Sequence, residues 1–194
     1  MKKLCSQWAI FALTMFVNAN GVLAQTPMNV VNKQAPTIET KKEIQIKELG
    51  WMDKNRMDQE TTKINELTQT KLGTPLRRDL SDLSTLQRIV DKELVATDNF
   101  ELQQAMGVVL GNVMLADFPN TLEWKIYEDE LGRSRALCAR KTNDCLFPVT
   151  MLSRRMEVGT KPNVRKIYDD ALLRMEKHLP KLPYDGGIMY RLPR

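Results

Sequence analysis

Apolar and polar positions alternate with different periods along the chain, and the period predicts the elements. Trp8 to Val17 is an apolar run broken only by Thr14. From Trp51 to Leu72 charged residues dominate, with a thin apolar stripe at Met57, Ile64 and Leu67. That is a solvated helix, and Gly73 and Pro75 supply its stop. Leu80, Leu83, Leu86, Ile89 and Val90 recur at helical spacing behind Asp79, a suitable cap. Asp98 and Glu101 form a capping-box pattern for a third helix. Its stripe is broad: Leu102, Ala105, Met106, Val109, Leu110, Val113 and Met114, with Val108 and Leu115 on the far side. A helix apolar nearly all round is buried on more than one face. Gly107 and Gly111 cost about 1 kcal/mol each in helix propensity against Ala. With Asn112 and Asp117 close by, the pair predicts close packing against a neighbouring element rather than a dimer face in a membrane.

Period two then replaces period 3.6. Three strands are predicted, at Glu123–Asp129, Arg133–Ala139 and Cys145–Arg154. Glu130-Leu131-Gly132 fits a three-residue hairpin loop, which sets Asp129 opposite Arg133, Tyr127 opposite Arg135 and Trp124 opposite Cys138. One face then carries Trp124, Ile126, Ala136, Cys138, Phe147, Val149 and Met151 as core. Pro148 makes the third strand an edge or a bulge. A last helix runs from about Asn163 to Leu179, with Val164, Ile167, Tyr168, Ala171, Leu172 and Met175 on one side, and Pro180 and Pro183 end it. The fold class is α+β: helices preceding a three-stranded antiparallel sheet, followed by a C-terminal helix. The boundaries are a leader at 1–24, a polar flexible lead-in at 25–40, a helical extension at 41–78, the α+β core at 79–180 and a tail at 181–194.

Charge and cysteines place the chain in a cell. Lys2 and Lys3, the apolar run, the helix-breaking Asn18-Ala19-Asn20-Gly21 and the Val22-Leu23-Ala24 site make the three-part pattern of a cleaved secretory signal. The expected location is periplasmic, with cleavage after Ala24. Removing residues 1–24, which hold no acidic residue, leaves 27 cationic against 24 anionic residues, a net charge of +3. That is too small for a nucleic-acid binder. No stretch of the processed chain is long and clean enough to span a bilayer. Two cysteines remain, Cys138 and Cys145, and in an oxidising compartment they read as a disulfide across the polar tip Ala139–Asp144. Closing an eight-residue loop contributes about 2.5 kcal/mol in the chain-entropy model.

Candidate chemistry is sparse. Glu123, Glu128, Asp129 and Glu130 offer carboxylates, but three of them share one hairpin end, where a solvated turn paired with Arg133 explains them. His178 is the only imidazole and stands near a helix end, where a cation is favoured. No nucleophile elbow, phosphate loop or metal-ligand spacing is present, so no catalytic residue, metal or cofactor is assigned. The candidate binding surface is the outer face of the predicted sheet. There Tyr127, Leu137, Leu146 and Leu152 are interleaved with Lys125, Arg133, Arg135 and Arg154. Apolar residues rimmed by Arg and Tyr suit an interaction surface, and Arg135 opposite Tyr127 suits a cation–π pair. The same leucines equally suit a face covered by the chain's own tail or its Trp51–Leu72 helix.

Several short motifs carry a resemblance. Leu86-Gln87, Gly107-Val108-Val109-Leu110-Gly111, Leu122-Glu123-Trp124, Glu128-Asp129-Glu130-Leu131-Gly132-Arg133 and Phe147-Pro148-Val149-Thr150-Met151 with Arg154 and Arg155 occur in this order. Over about residues 80–173 the chain resembles the bacterial family called domain of unknown function 3806. The resemblance implies a bacterial envelope setting and brings no activity, cofactor or catalytic residue. The expected function is a non-catalytic envelope interaction module whose partner is a protein or another envelope component. A toxin-immunity protein and a hydrolase of an envelope polymer are the alternatives.

Overall fold

The computed structural model describes residues 43–181, which fall in one compact unit. The leader, the lead-in and nearly all of the tail lie outside the described residues. In chain order the elements are β1 (Gln45–Glu48), α1 (Trp51–Leu72), α2 (Ser81–Asp91), α3 (Phe100–Asp117), β2 (Leu122–Asp129), β3 (Gly132–Ala139), β4 (Cys145–Leu146), α4 (Pro148–Met156) and α5 (Val164–Arg174). A single 3₁₀ turn, Glu176–His178, follows. The four strands form one antiparallel sheet in the order β1-β2-β3-β4.

The α+β class holds, with four strands in place of three. β1 is the added one. Only Ile46 of its four residues is even half-buried, so its apolar signal is too thin to stand out beside the long polar helix that follows. The expected strand Cys145–Arg154 stops after two residues. Pro148 is the first residue of α4, where its missing N–H is no loss and its fixed φ suits a helix. Val149, Leu152, Ser153 and Met156 are buried at helical spacing, so the period of 3.6 governs this segment.

α3 is the centre of the core, as its all-round apolar surface requires. A Cβ on Gly107 would come within 2.6 Å of the Val149 Cα, and one on Gly111 would collide with the Trp124 ring. The two glycines are therefore where α4 and β2 approach the α3 backbone. Asn112, the polar residue of that surface, has a defined task. It accepts a hydrogen bond from Trp124 Nε1 at 3.0 Å and donates to Thr61 Oγ1 at 3.2 Å, joining β2, α3 and α1. Its N-cap is Asn99 rather than the expected Asp98: the Asn99 carboxamide accepts from the Leu102 N–H at 3.1 Å. Asp79 accepts from the Ser81 N–H, and Gly73 ends α1 with φ 65°.

Candidate functional site

The hairpin between β2 and β3 decides where the candidate residues point. Its turn has two residues, Glu130 and Leu131, with Asp129 paired directly to Gly132. The Asp129 carboxylate accepts the Leu131 N–H at 2.9 Å and fixes the short turn. The expected register is therefore off by one. Trp124 pairs with Leu137, Ile126 with Arg135, Tyr127 with Ser134 and Glu128 with Arg133. Shifting by one residue exchanges the faces of a strand. Leu122, Trp124 and Ile126 share a face with Leu137 and Ala139, all buried. The small Ala136 and Cys138, directly opposite Lys125 and Glu123, carry the other face.

The single outer face drawn from the sequence is therefore corrected. Leu137, Leu146 and Leu152 belong to the hydrophobic core, and Leu152 lies on α4, not on a strand. Arg135 points toward α1, where its guanidinium grips the buried Glu60 through both nitrogens, Nη2 to Oε1 at 3.0 Å and Nη1 to Oε2. Arg56 adds a third bond to Glu60 at 3.1 Å. Arg135 is thus no partner for Tyr127, whose ring meets Phe147 edge-on at 5.1 Å. Among the described residues, the cation over an aromatic ring is Arg165, 5.7 Å from the centre of Tyr168. Arg133 binds Asp53 at 2.7 Å, and this bond holds the Asp53 carboxyl below its ordinary range and lifts the guanidinium. Lys125 lies on the opposite face between Glu48 and Glu123, and the hydrogen bond it donates to Glu48 raises its pKa.

Four of the eight candidates do meet. Tyr127, Arg133, Arg135 and Arg154 line one cleft of about 620 Å³, together with Asp53, Arg56, Phe147 and Thr150. A second cleft of about 470 Å³ shares Phe147, Thr150 and Arg154 with it and continues between α4 and α5 to Arg174. Arg154 stands where the two join. Among the described residues, Arg154 and Arg174 have no carboxylate partner, whereas Arg56, Arg133 and Arg135 each have one. Sequence reasoning missed Phe147, Thr150 and, on α5, Arg174 as lining residues: the segment of α4 reads as a strand, which hides the cleft between α4 and α5. Pro148 followed by Val149, Leu152, Ser153 and Met156 was the signal for a helix there.

The disulfide is as expected: Cys138 and Cys145 are bonded and pair across β3 and β4. Asp144, next to Cys145, binds Lys177 Nζ and His178 Nε2, each at 2.7 Å, which ties the end of the last helix to the hairpin. Both bonds keep the Asp144 carboxyl below its ordinary range, that from Lys177 more strongly. Of the carboxylates weighed for catalysis, Glu123 binds Arg140 and Glu128 binds Lys47. Among the described residues no three His, Cys, Asp or Glu side chains gather as metal ligands do, and no helix is long and apolar enough to cross a membrane.

Comparison with known proteins supports the resemblance. Residues 82–168 match the family described as Domain of unknown function (DUF3806). The match runs from α2 into α5 and includes the whole β2–β4 region and α4. A crystal structure from Bacteroides thetaiotaomicron is similar in fold, with a TM-score of 0.62 at 14% identity, over 72% of this chain and 51% of that one. This chain thus spans about half of that protein's length, and the likeness is one of fold alone. No curated protein matched.

Proposed function

We propose that the chain is an exported, non-catalytic interaction module of the bacterial envelope, working in the periplasm, and that the cleft beside α4 is its binding surface. The observation that carries this reading is the contrast among the arginines. Those facing α1 are paired with Asp53 or Glu60, whereas Arg154 sits at the junction of two clefts, exposed and without a described carboxylate partner. Beside it the Tyr127–Phe147 pair offers aromatic surface. Arginine next to aromatic side chains in a concave site is a composition that interaction surfaces favour. Export rests on the leader pattern at 1–24, and the disulfide supports it, since such bonds persist in oxidising compartments.

Two measurements test this. Intact mass of the protein from a periplasmic fraction is expected to begin at Gln25; Met1 retained in the membrane fraction would overturn export. A photo-reactive residue in place of Thr150, in the cleft, is expected to cross-link to an envelope component in cells. The same residue in place of Arg77, exposed on the loop before α2, is expected not to. Equal yields at the two positions would overturn the assignment of the surface.

A further inference from the structure

β3 has an open edge, and the cleft runs along it. Arg133, Ser134 and Arg135 are consecutive, so their side chains alternate between the two faces of the sheet. All three line the same cleft. The cleft thus reaches β3 from both faces, at its edge. The neighbour on that side, β4, pairs with Leu137 and Cys138 and then ends. The direction of the free backbone groups follows from the ladder. The Arg140 N–H goes to Thr121 on the β2 side, and the Ala139 N–H goes to Asp144 on the β4 side. Backbone groups alternate sides along a strand. Arg135 and Arg133 therefore direct theirs past the end of β4, where no described residue takes them.

Resting on the reading of this cleft as the binding surface, we infer that its ligand is an extended acidic polypeptide segment, added as a short strand to the β3 edge. The main chain of such a segment bonds to Arg133 and Arg135. Its carboxylates meet Arg154 and, in the adjoining cleft, Arg174, which present planar forks suited to carboxylate pairs. Two other occupants fit less well. A second copy paired edge to edge would bring Arg133 and Arg135 against their own counterparts. The chain's outlying segments are of the wrong sign: residues 25–42 carry Lys33, Lys41 and Lys42 against Glu39, and residues 182–194 carry Arg191 and Arg194 against Asp185.

The test uses the purified chain and a fluorescent peptide of alternating Glu and Val, with an alternating Gln and Val peptide as control. Fluorescence anisotropy is expected to show the Glu peptide binding at least about tenfold more tightly, the effect of one charge-assisted bond. Arg154→Glu with Arg174→Glu is expected to abolish that preference, and Arg154→Gln to reduce it, with the melting temperature lowered only slightly. Methylating alternate peptide nitrogens is expected to weaken binding. Equal affinity for the two peptides, an unaffected double variant, or tighter binding of inorganic polyphosphate would overturn the inference. A photo-reactive residue in place of Ser134 that cross-links two copies of the chain would also overturn it. If the peptides fail while the Thr150 cross-link in cells persists, the cleft stands and the partner chemistry is wrong. If both fail, the binding surface itself is lost.

Discussion

The two sides of β3 treat arginine in opposite ways. Toward α1, Arg135 is nearly buried and is held by both oxygens of Glu60, which Arg56 also binds. Toward α4, Arg154 is exposed at the meeting of two clefts and is met by no described carboxylate. The first arrangement is what a folded interior demands, since a desolvated charge is costly unless paired and hydrogen-bonded. The second places no such demand on the fold. An arginine that packing does not require is the better candidate for recognition, and composition alone does not separate the two.

The largest effect that sharpens this contrast is on the buried side. Glu60→Ala leaves Arg135 without its partner in the interior and is expected to destabilise the domain by about 3–5 kcal/mol, read from the urea midpoint. A loss below 1 kcal/mol would mean that Arg135 reaches water and that the two arginines differ little. Next is the covalent tie. Cys138→Ser with Cys145→Ser is expected to cost about 2–4 kcal/mol and to leave a cooperative unfolding transition, because the α3 core does not depend on the bridge.

What was legible in the sequence follows signal strength in each segment. α1 was readable to the residue, since its glycine stop and thin stripe have few competing explanations. α3 was readable from its all-round apolar surface, and Gly107 and Gly111 announced the close approach of another chain segment. The hairpin was readable as a hairpin but not in register. The choice between a two- and a three-residue loop rested on placing every apolar residue on one face, and Ala136 and Cys138 are small enough to be buried on the other. β4 and α4 are misread because Phe147, Val149 and Met151 fall two apart and mimic a strand, while the buried helical set Val149, Leu152, Ser153 and Met156 runs across that alternation. The site inherited both errors. Arg133, Arg135 and Arg154 are legible as candidates, but their division into paired and unpaired depends on Glu60 and Asp53, distant in sequence and brought up by α1.

Smaller effects test the connections between the two sides. Trp124→Phe removes the donor to Asn112 and is expected to cost about 1–3 kcal/mol by chemical denaturation. A milder contribution comes from Asp144. Its pKa is lowered in the folded chain by Lys177 and then His178, so its contribution is present above the unfolded carboxylate value of about 3.9 and fades as pH falls through the folded value. The melting temperature of the native chain is expected to drop faster than that of Asp144→Asn below about pH 4. Parallel acid profiles for the two proteins would show that the clasp on the hairpin adds nothing.

The smallest expected effect on stability is the most informative about the surface. Arg154→Glu reverses a charge that no described carboxylate holds, on the exposed side of α4. Surface substitutions of this kind fall within about 0.5 kcal/mol. One opposing term is present, because Arg154 sits in the last turn of α4, where a cation is favoured by a few tenths of a kcal/mol. The thermal midpoint is therefore expected to move down slightly, by far less than for Glu60→Ala, while cross-linking from position 150 to its envelope partner disappears. If the midpoint instead falls as far as it does for Glu60→Ala, Arg154 is a structural arginine with a partner in the folded chain. The contrast between the two sides of β3 would then vanish, and the reason for reading the α4 cleft as a binding surface would vanish with it.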